Sequence, residues 1–204
     1  GTHAEQMGGV MIAYEKVCME HRPDWIIVVG DVNSTAACAM VGAKLWIPVV
    51  HLEAGLRSRD RTMPEEINRL VTDAIVDVLW TPSADAAENL LNEGVSADKI
   101  DMSGYILIDA FEMLRDRIES AGTREEQGLA SGKYALVTLH RPSNVDAEET
   151  LAPIVAELVA ASEKLPVVFV AHPRTIKSLE KFGLTERLTG AEGVTLLEPL
   201  PYIQ

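Results

Sequence analysis

Four ionisable side chains stand where predicted strands end: Asp31, Glu53, His140 and His172. Each directly follows a short, largely apolar run of the kind that forms a strand of a parallel sheet. The carboxyl ends of parallel strands meet at one edge of a sheet, where α/β folds bind their ligands. Ionisable groups placed there only for packing would be costly to bury unless they were paired. The pattern therefore predicts a polar site at the edge of a parallel sheet.

The carboxylates also have structural interpretations. Asp31 could cap the helix that follows it, and we weigh that role equally with catalysis. Glu53 precedes Ala-Gly rather than a helix, so a functional role is favoured for it. Glu65 completes the pattern Thr62-x-x-Glu65 of a capping box, which would be a sufficient reason for its presence. Exposure to solvent is the simple expectation for Glu66.

A cluster of arginines follows the second predicted strand. Such a run is commonly a solvated surface, but in a chain with a formal net charge of -13 a local excess of arginine is also a reasonable anion site. The pairs His140-Arg141 and His172-Pro-Arg174 are equally open between helix capping and phosphate contacts. The clustered arginines are Arg57, Arg59, Arg61 and Arg69. Composition and spacing therefore indicate a site for a sugar, nucleotide or phosphate ligand at a sheet edge.

Strands and helices alternate along the chain, which predicts parallel sheets built from right-handed βαβ units. The fold class is therefore α/β, with Rossmann-like parallel sheets and flanking helices. The predicted strands are 25–30, 47–52, 78–81, 99–103, 134–139, 167–170 and 194–197, and the predicted helices are 5–21, 33–45, 64–76, 83–92, 107–120, 146–164 and 175–182.

The polar stretch 121–132 contains three glycines and is the best linker in the sequence. It predicts a first domain over 1–120 and a second over 133–204. The 25–30 run is apolar without alternation, so we expect that strand to be buried on both faces.

Composition excludes several classes of protein. The 204 residues are 47% apolar and 24% charged, enough for one large or two small globular domains. The negative net charge argues against nucleic acid as the main partner. Cys18 and Cys38 lie in helix-like stretches and are expected to be reduced core residues. No apolar run is long enough for a membrane helix and no signal peptide is evident, so we expect no membrane partner and a cytoplasmic protein.

Metal and cofactor motifs are absent from the sequence. It has no CxxC pair and no HExxH, and its only Gly-Gly pair does not sit in a strand-to-helix turn. We therefore expect neither a metal site nor a bound nucleotide cofactor.

Five motifs occur in order along the chain: GDVNST at 30–35, HLEAGLR at 51–57, MPEEINR at 63–69, TLHRPSNV at 138–145 and AHPRT at 171–175. Together they resemble the motifs of the non-hydrolysing bacterial UDP-N-acetylglucosamine 2-epimerases. The resemblance runs essentially from end to end of this chain, and five motifs in the right order make a specific signal.

The resemblance implies a fold derived from the GT-B arrangement, in which two Rossmann-like domains face each other across a cleft. It implies interconversion of UDP-GlcNAc and UDP-ManNAc without a nicotinamide cofactor. In that reaction the C2 proton is removed as UDP leaves anti to it, and UDP re-adds to the 2-acetamidoglucal after reprotonation on the opposite face. By resemblance, Asp31, Glu53 and Glu65 are the acid/base carboxylates. The implied substrate-binding residues are His140, Arg141, His172, Arg57 and Arg69.

Two parts of the family pattern have no counterpart in the sequence. These are the opening strand with its Gly-Thr-Arg-Pro-Glu motif and the later Asp-Ser-Gly-Gly turn, with its following glutamate, that holds the UDP. The resemblance therefore implies a family member truncated at both ends, of which this chain is roughly the middle half. We expect the isolated chain to be inactive or nearly so, because proximity and diphosphate binding depend on the missing parts.

Such a truncation would bare apolar strand edges at 25–30 and 134–139, which favour association. We expect these edges to pair, within one chain or between two, merging the half-domains into one sheet and favouring a homo-oligomer. Two other functions stay open, an inactive nucleotide-sugar-binding module and a fragment of a GT-B glycosyltransferase. UDP-GlcNAc and a related sugar such as a diacetamido uronic acid fit the sequence equally.

Overall fold

The structure, a computed structural model, describes residues 1–204. They form two compact units, Gly1–Glu112 and Met113–Gln204. The division falls inside the helix Ile106–Ser120 and thus ahead of the stretch 121–132, where we expect the linker. That stretch belongs to the second unit and contains one short helix, Thr123–Glu126.

The first unit contains a four-stranded parallel sheet whose spatial order, β1-β2-β3-β4, follows the chain. Its strands are β1 (Ile26–Val29), β2 (Val49–Leu52), β3 (Val78–Thr81) and β4 (Ile100–Met102). Its helices are α1 (His3–His21), α2 (Asn33–Lys44), α3 (Pro64–Ile75) and α4 (Ala84–Asn92), with a 3-10 turn at Ala97–Lys99, and α5 (Ile106–Ser120) spans the division between the units.

The first two strands end at the same level. Val29 of β1 is paired with Leu52 of β2, and Leu52 is paired in turn with Trp80 of β3. The residues that follow β1 and β2 are therefore brought side by side, which places the first part of the candidate site.

Helix α2 lies close against the sheet, as its small residues predict. A β-carbon on Gly42 would stand 2.5 Å from Val49 Cγ2 and 2.9 Å from Ile26 Cδ1, so this contact requires glycine. The core beneath it includes Val28 and Leu79, which are 5% and 0% exposed. Close packing of this kind fixes where α2 begins, and with it the loop after β1.

Strand β1 is buried on one face only. Ile26 and Val28 are buried, whereas Ile27 and Val29 are 55% and 48% exposed. The expectation of burial on both faces is therefore wrong, because β1 lies at the edge of the sheet and is covered on a single side.

The second unit contains a three-stranded parallel sheet of order β5-β6-β7. Its core is formed by Phe169, Leu151, Val155, Leu179 and Leu188, all at most 1% exposed. Its strands are β5 (Ala135–Val137), β6 (Val167–Val170) and β7 (Val194–Leu197), and its helices are α6 (Thr123–Glu126), α7 (Pro142–Val145), α8 (Glu148–Ser162), α9 (Pro173–Lys181) and α10 (Thr185–Thr189).

Strands β1 and β5 belong to different sheets. The prediction that one chain merges its two halves into a single sheet is therefore wrong, because each strand pairs with the next strand of its own unit, β1 with β2 and β5 with β6. Pairing of these edges between two chains stays a prediction. The α/β fold class with parallel sheets and flanking helices is confirmed. None of the helices has both the length and the apolar composition needed to cross a membrane.

Candidate functional site

Asp31 and Glu53 follow the ends of the neighbouring strands β1 and β2, as predicted. The Gly30 amide donates a hydrogen bond to the Leu52 carbonyl at 3.0 Å, which keeps the segments that follow β1 and β2 aligned beyond the ends of the strands. Glu53 Oε2 lies 3.6 Å from the position that a β-carbon on Gly30 would take. The Glu53 carboxylate therefore reaches over the residue that precedes Asp31, and the two acidic residues share one edge of the sheet.

Asp31 is held by helix α3 and does not cap α2. Its Oδ2 accepts a hydrogen bond from Arg69 Nη1 at 2.9 Å, and its backbone carbonyl accepts one from Asn68 Nδ2 at 2.9 Å. The N-cap of α2 is Val32, which makes no side-chain capping bond. The helix-capping interpretation of Asp31 is therefore wrong, because its carboxylate is directed at α3 instead.

Glu53 has an uncommon backbone conformation. Its φ is 73°, in the left-handed region that residues with a β-carbon rarely adopt. Such strain persists only where the surroundings hold the chain, and the Ala54 amide is indeed fixed by the Trp80 carbonyl at 3.0 Å. The Glu53 carboxylate itself makes no hydrogen bond to another residue. Of the two acidic residues at this edge, Glu53 is therefore the one whose carboxylate has no hydrogen-bond partner in the protein, whereas Asp31 is bound by Arg69.

Glu65 is exposed in the first turn of α3 and forms no capping box. The N-cap of α3 is Met63, without a side-chain bond, and the Thr62 hydroxyl donates to Asp60 Oδ1 at 2.6 Å. The structural interpretation of Glu65 is therefore wrong, because Thr62 already has another partner. Glu65 instead lines a cleft of about 480 Å³ together with polar residues that include Asn33 and Asn68.

Glu66 is only 2% exposed, so the expectation that it faces solvent is wrong. Its carboxylate accepts hydrogen bonds from the Ser58 amide at 2.9 Å, the Ser58 hydroxyl at 3.0 Å and the Arg59 amide at 3.0 Å. Arg69 Nη2 donates to it as well, at 3.1 Å. Glu66 therefore ties the arginine loop to α3.

We expect Glu66 to make the first unit sensitive to acid. Burial raises the pKa of Glu66, but hydrogen bonds from Ser58 and Arg59 and the charge of Arg69 outweigh burial and hold the pKa below its usual value. A carboxylate with a lowered pKa stabilises the fold above its unfolded pKa, about 4.3, and loses that contribution as the pH falls through its folded pKa. The free energy of unfolding, measured by denaturant titration as the pH is lowered through this range, should therefore fall less in Glu66→Gln than in the unsubstituted chain.

The control for this experiment is Glu88→Gln, which changes an exposed residue of α4. Its acid-induced loss should equal that of the unsubstituted chain. If Glu66→Gln also lost as much stability as the unsubstituted chain, the hydrogen bonds to Glu66 would not favour its ionised form.

Two of the three arginines predicted to bind substrate, Arg57 and Arg69, are engaged by carboxylates. Arg57 donates to Asp73 Oδ2 at 2.7 Å and to Glu93 Oε2 at 2.6 Å, and its side chain is 3% exposed. Arg69, whose side chain is 11% exposed, bridges Asp31 and Glu66, and its Nε has no partner. Burial lowers the pKa of Arg57, but the two carboxylates outweigh it and raise the pKa above its ordinary value. A contact of either arginine with substrate stays a prediction.

His140 and His172 lie together in the second unit, with ring centroids 6.4 Å apart. Both side chains are exposed. His172 is the N-cap of α9, where its Nδ1 accepts a hydrogen bond from the Arg174 amide at 3.1 Å. The buried hydroxyl of Thr175 donates to the Leu139 carbonyl, which fastens the start of α9 to the segment that carries His140. The capping role considered for His172 is confirmed.

Arg141 is exposed at the start of α7, beside His140. Asp146, which with Glu149 resembles a capping box for the next helix, does not cap α8; the N-cap is Ala147, without a side-chain bond. Asp146 instead accepts two hydrogen bonds from Arg174, at 2.8 and 2.9 Å. Of the two cations near the histidines, Arg174 is therefore paired, whereas Arg141 has no ion-pair partner.

Asp73 and His51 are not among the predicted site residues, although His51 begins the motif HLEAGLR. Asp73 is 5% exposed, and its Oδ2 accepts from Arg57 and from the Gly55 amide at 3.1 Å. An aspartate inside a helix gives no local signal of burial, because its partners lie on other elements. The structure contains no group of three or more His, Cys, Asp or Glu side chains arranged to hold a metal ion.

Comparison with known proteins adds the family. The sequence model of the UDP-N-acetylglucosamine 2-epimerase family matches residues 1–204. The UDP-N-acetylglucosamine 2-epimerase of Methanocaldococcus jannaschii is 40% identical over all of this chain and 57% of its own length. The UDP-2,3-diacetamido-2,3-dideoxy-D-glucuronate 2-epimerase of Pseudomonas aeruginosa is 38% identical over all of this chain and 56% of its own. The chain thus spans little more than half the length of these relatives.

Solved structures agree with the sequence comparison. The crystal structure of the Methanocaldococcus jannaschii enzyme in complex with UDP-GlcNAc and UDP matches with a TM-score of 0.88, over all of this chain and 57% of that one. The Neisseria meningitidis UDP-GlcNAc 2-epimerase bound to UDP-GlcNAc matches with a TM-score of 0.87 at 25% identity, over all of this chain and 56% of that one. From its sequence motifs, its fold and these matches, the chain belongs to the UDP-N-acetylglucosamine 2-epimerase family.

Proposed function

We propose that this chain carries the acid/base carboxylates of a non-hydrolysing epimerase that interconverts UDP-GlcNAc and UDP-ManNAc. The observation that supports this most directly is the pair of acidic residues at the ends of adjacent strands, Asp31 and Glu53. One of them has an unengaged carboxylate on a strained backbone. Strained backbone of this kind is concentrated at functional sites.

The proposed reaction has two halves: an elimination that removes one proton and UDP from the sugar, and an addition that returns both. A carboxylate removes the proton from C2, the electrons of the C2–H bond form the C1=C2 double bond, and the bond from C1 to the UDP oxygen breaks. Delivery of a proton to the other face of C2 and return of UDP to C1 then give the epimer. A base for this weakly acidic carbon must work in a closed site with little water.

The surroundings of the three carboxylates suggest how they divide this work. Glu53 is suited to proton transfer at C2, because no protein group occupies its carboxylate. Asp31 is oriented by Arg69 at 2.9 Å, so we assign Arg69 a positioning role beside it. Glu65 is exposed at the rim of the cleft in the first unit and is the third acid/base candidate.

The second unit is proposed to hold the diphosphate. Charge that develops on the departing UDP needs cationic groups and N–H donors. Arg141 is exposed and unpaired, and His140 and His172 expose their rings beside each other. Because Nδ1 of His172 already accepts the Arg174 amide, its Nε2 is the atom that would face a ligand.

A second substrate is proposed because a relative points to it. The Pseudomonas aeruginosa relative, whose name gives a UDP-diacetamido-glucuronate as its substrate, is nearly as similar to this chain as the Methanocaldococcus jannaschii enzyme, at 38% against 40% identity. Parallel titrations with both UDP-sugars would separate the two. A cytoplasmic location and a homo-oligomer formed through the β1 and β5 edges of two chains stay predictions.

We expect the purified chain alone to show no epimerisation, or only a trace. It spans 57% of the Methanocaldococcus jannaschii enzyme, and the Asp-Ser-Gly-Gly turn that by resemblance holds UDP has no counterpart in its sequence. A coupled assay for UDP-ManNAc, run beside the full-length relative, tests this expectation. Turnover at the level of the relative would contradict it. UDP binding without epimerisation would fit a binding module, and acceptor-dependent release of UDP would fit a glycosyltransferase.

A further inference from the structure

His51, in strand β2, is fully buried and bonded through both ring nitrogens. Its Nδ1 lies 2.6 Å from Asp73 Oδ1, and its Nε2 lies 2.8 Å from the carbonyl oxygen of Gly30. A backbone carbonyl can only accept a hydrogen bond, so Nε2 carries a proton. The protonation of Nδ1 then depends on whether Asp73 donates or accepts.

The other contacts of Asp73 identify it as an acceptor. Its second oxygen, Oδ2, accepts from Arg57 Nη1 at 2.7 Å and from the Gly55 amide at 3.1 Å, and both donors favour the carboxylate form. An ionised Asp73 facing an unprotonated Nδ1 at 2.6 Å would set two lone pairs against each other. The arrangement is consistent only if Nδ1 also donates its proton.

Charge balance supports the same assignment. The buried cluster contains Arg57 and Asp73, and Glu93 approaches Arg57 from its exposed side. With His51 as a cation, the two positive groups match the two negative ones. A neutral His51 would leave the cluster one positive charge short beside a fully buried ring, which is unfavourable where water cannot compensate.

We propose that His51 is held as the doubly protonated imidazolium and acts as a positioning residue for the strand-end carboxylates. Through Nε2 it fixes the Gly30 carbonyl, directly before Asp31. Through Nδ1 it fixes Asp73, which binds the Gly55 amide just after Glu53. One buried cation thus sets both chain segments relative to each other. The consequence for catalysis rests on the proposed function, whereas the protonation state of His51 does not.

The test is an NMR measurement on the chain itself. The other four histidines are exposed, so replacing them with Gln leaves His51 as the single 15N-labelled histidine; they are His3, His21, His140 and His172. Long-range 1H–15N correlation at about pH 8 should show both His51 ring nitrogens protonated. One unprotonated ring nitrogen would overturn the proposal. If the fourfold variant does not fold, the unsubstituted chain is measured, and His51→Asn identifies the His51 signals by their loss.

A matched pair of variants tests the positioning role. In Asp73→Asn, His51 should lose one ring proton at the same pH, and the backbone amide signals of Asp31 and Glu53 should shift. Asp77→Asn is the control, because Asp77 bonds the Val49 amide and does not touch His51; it should leave all these signals in place. Unchanged Asp31 and Glu53 signals in Asp73→Asn would overturn the positioning role. This readout needs no UDP-sugar, so it can succeed or fail independently of the proposed reaction.

Discussion

Glu53→Gln is expected to reduce epimerisation by about 10²- to 10⁴-fold, the usual contribution of a positioned acid or base. The measurement needs a complete enzyme, which can be made by replacing the matching part of the Methanocaldococcus jannaschii relative with this chain. Glutamine keeps the shape of the side chain but cannot take up a proton. Because no other residue bonds the Glu53 carboxylate, the substitution should leave the fold and UDP binding intact.

The control for that chimera is Glu88→Gln, at an exposed position of α4. It should retain the activity of the unsubstituted chimera. A folded Glu53→Gln chimera with nearly full turnover would contradict the role assigned to Glu53 and would leave Asp31 and Glu65 as the remaining acid/base candidates.

Gly55→Ala is expected to destabilise the first unit by about 2–5 kcal/mol. Gly55 has a φ of 81°, which disfavours any β-carbon, and that carbon would stand 2.3 Å from the Ala86 carbonyl oxygen of α4. The chain after Glu53 would have to move away from α4, and the Asp73 contact to the Gly55 amide would be strained with it. Urea unfolding of the two forms measures the difference.

Gly94→Ala separates backbone strain from steric overlap. Gly94 has a φ of 89°, but a β-carbon there would meet no atom within 4 Å. Its substitution should therefore cost only the backbone term, about 1–2 kcal/mol. Equal losses of unfolding free energy for the two variants would mean that the chain accommodates the β-carbon beside Ala86 at no cost in stability. Gly55 would then be required for its φ alone.

The sequence was sufficient to predict the seven strands and the seven long helices, because their signals are local, but it did not predict the short helices α6, α7 and α10. The runs 78–81, 167–170 and 194–197 are strands with the predicted bounds, since each is a short apolar segment between helices. The strand-end positions of Asp31 and Glu53 follow from the same parallel pattern. Edge strands and central strands of a sheet could not be distinguished, because an apolar run such as 25–30 carries no information about which strands will lie beside it.

Capping patterns failed where a distant or competing partner was available. Thr62 and Glu65 have the spacing of a capping box, but Thr62 bonds Asp60 instead. Asp146 has the same pattern with Glu149, but it binds Arg174, 28 positions away. A pattern of short range predicts a cap only when no tertiary contact competes for the same side chain.

The buried charges were the least predictable part of the site. Asp73 and His51 are 22 positions apart in the sequence and meet only once α3 has packed beside β2. Glu66 likewise lies on the buried side of α3, while its neighbour Glu65 is exposed. Two adjacent glutamates look alike in a sequence, and only the rotation of the helix assigns one to the loop and the other to the cleft.

Transfer of the proton at C2 of a UDP-sugar is the proposed role of the acidic residues of this chain. It is tested most directly by running the chimera with UDP-GlcNAc in D₂O and measuring deuterium at C2 in the recovered nucleotide sugars. We predict UDP-ManNAc carrying deuterium at C2, with no free N-acetylmannosamine released. Epimerisation without deuterium at C2, or a folded chimera that binds UDP yet exchanges no proton at C2, would contradict the claim.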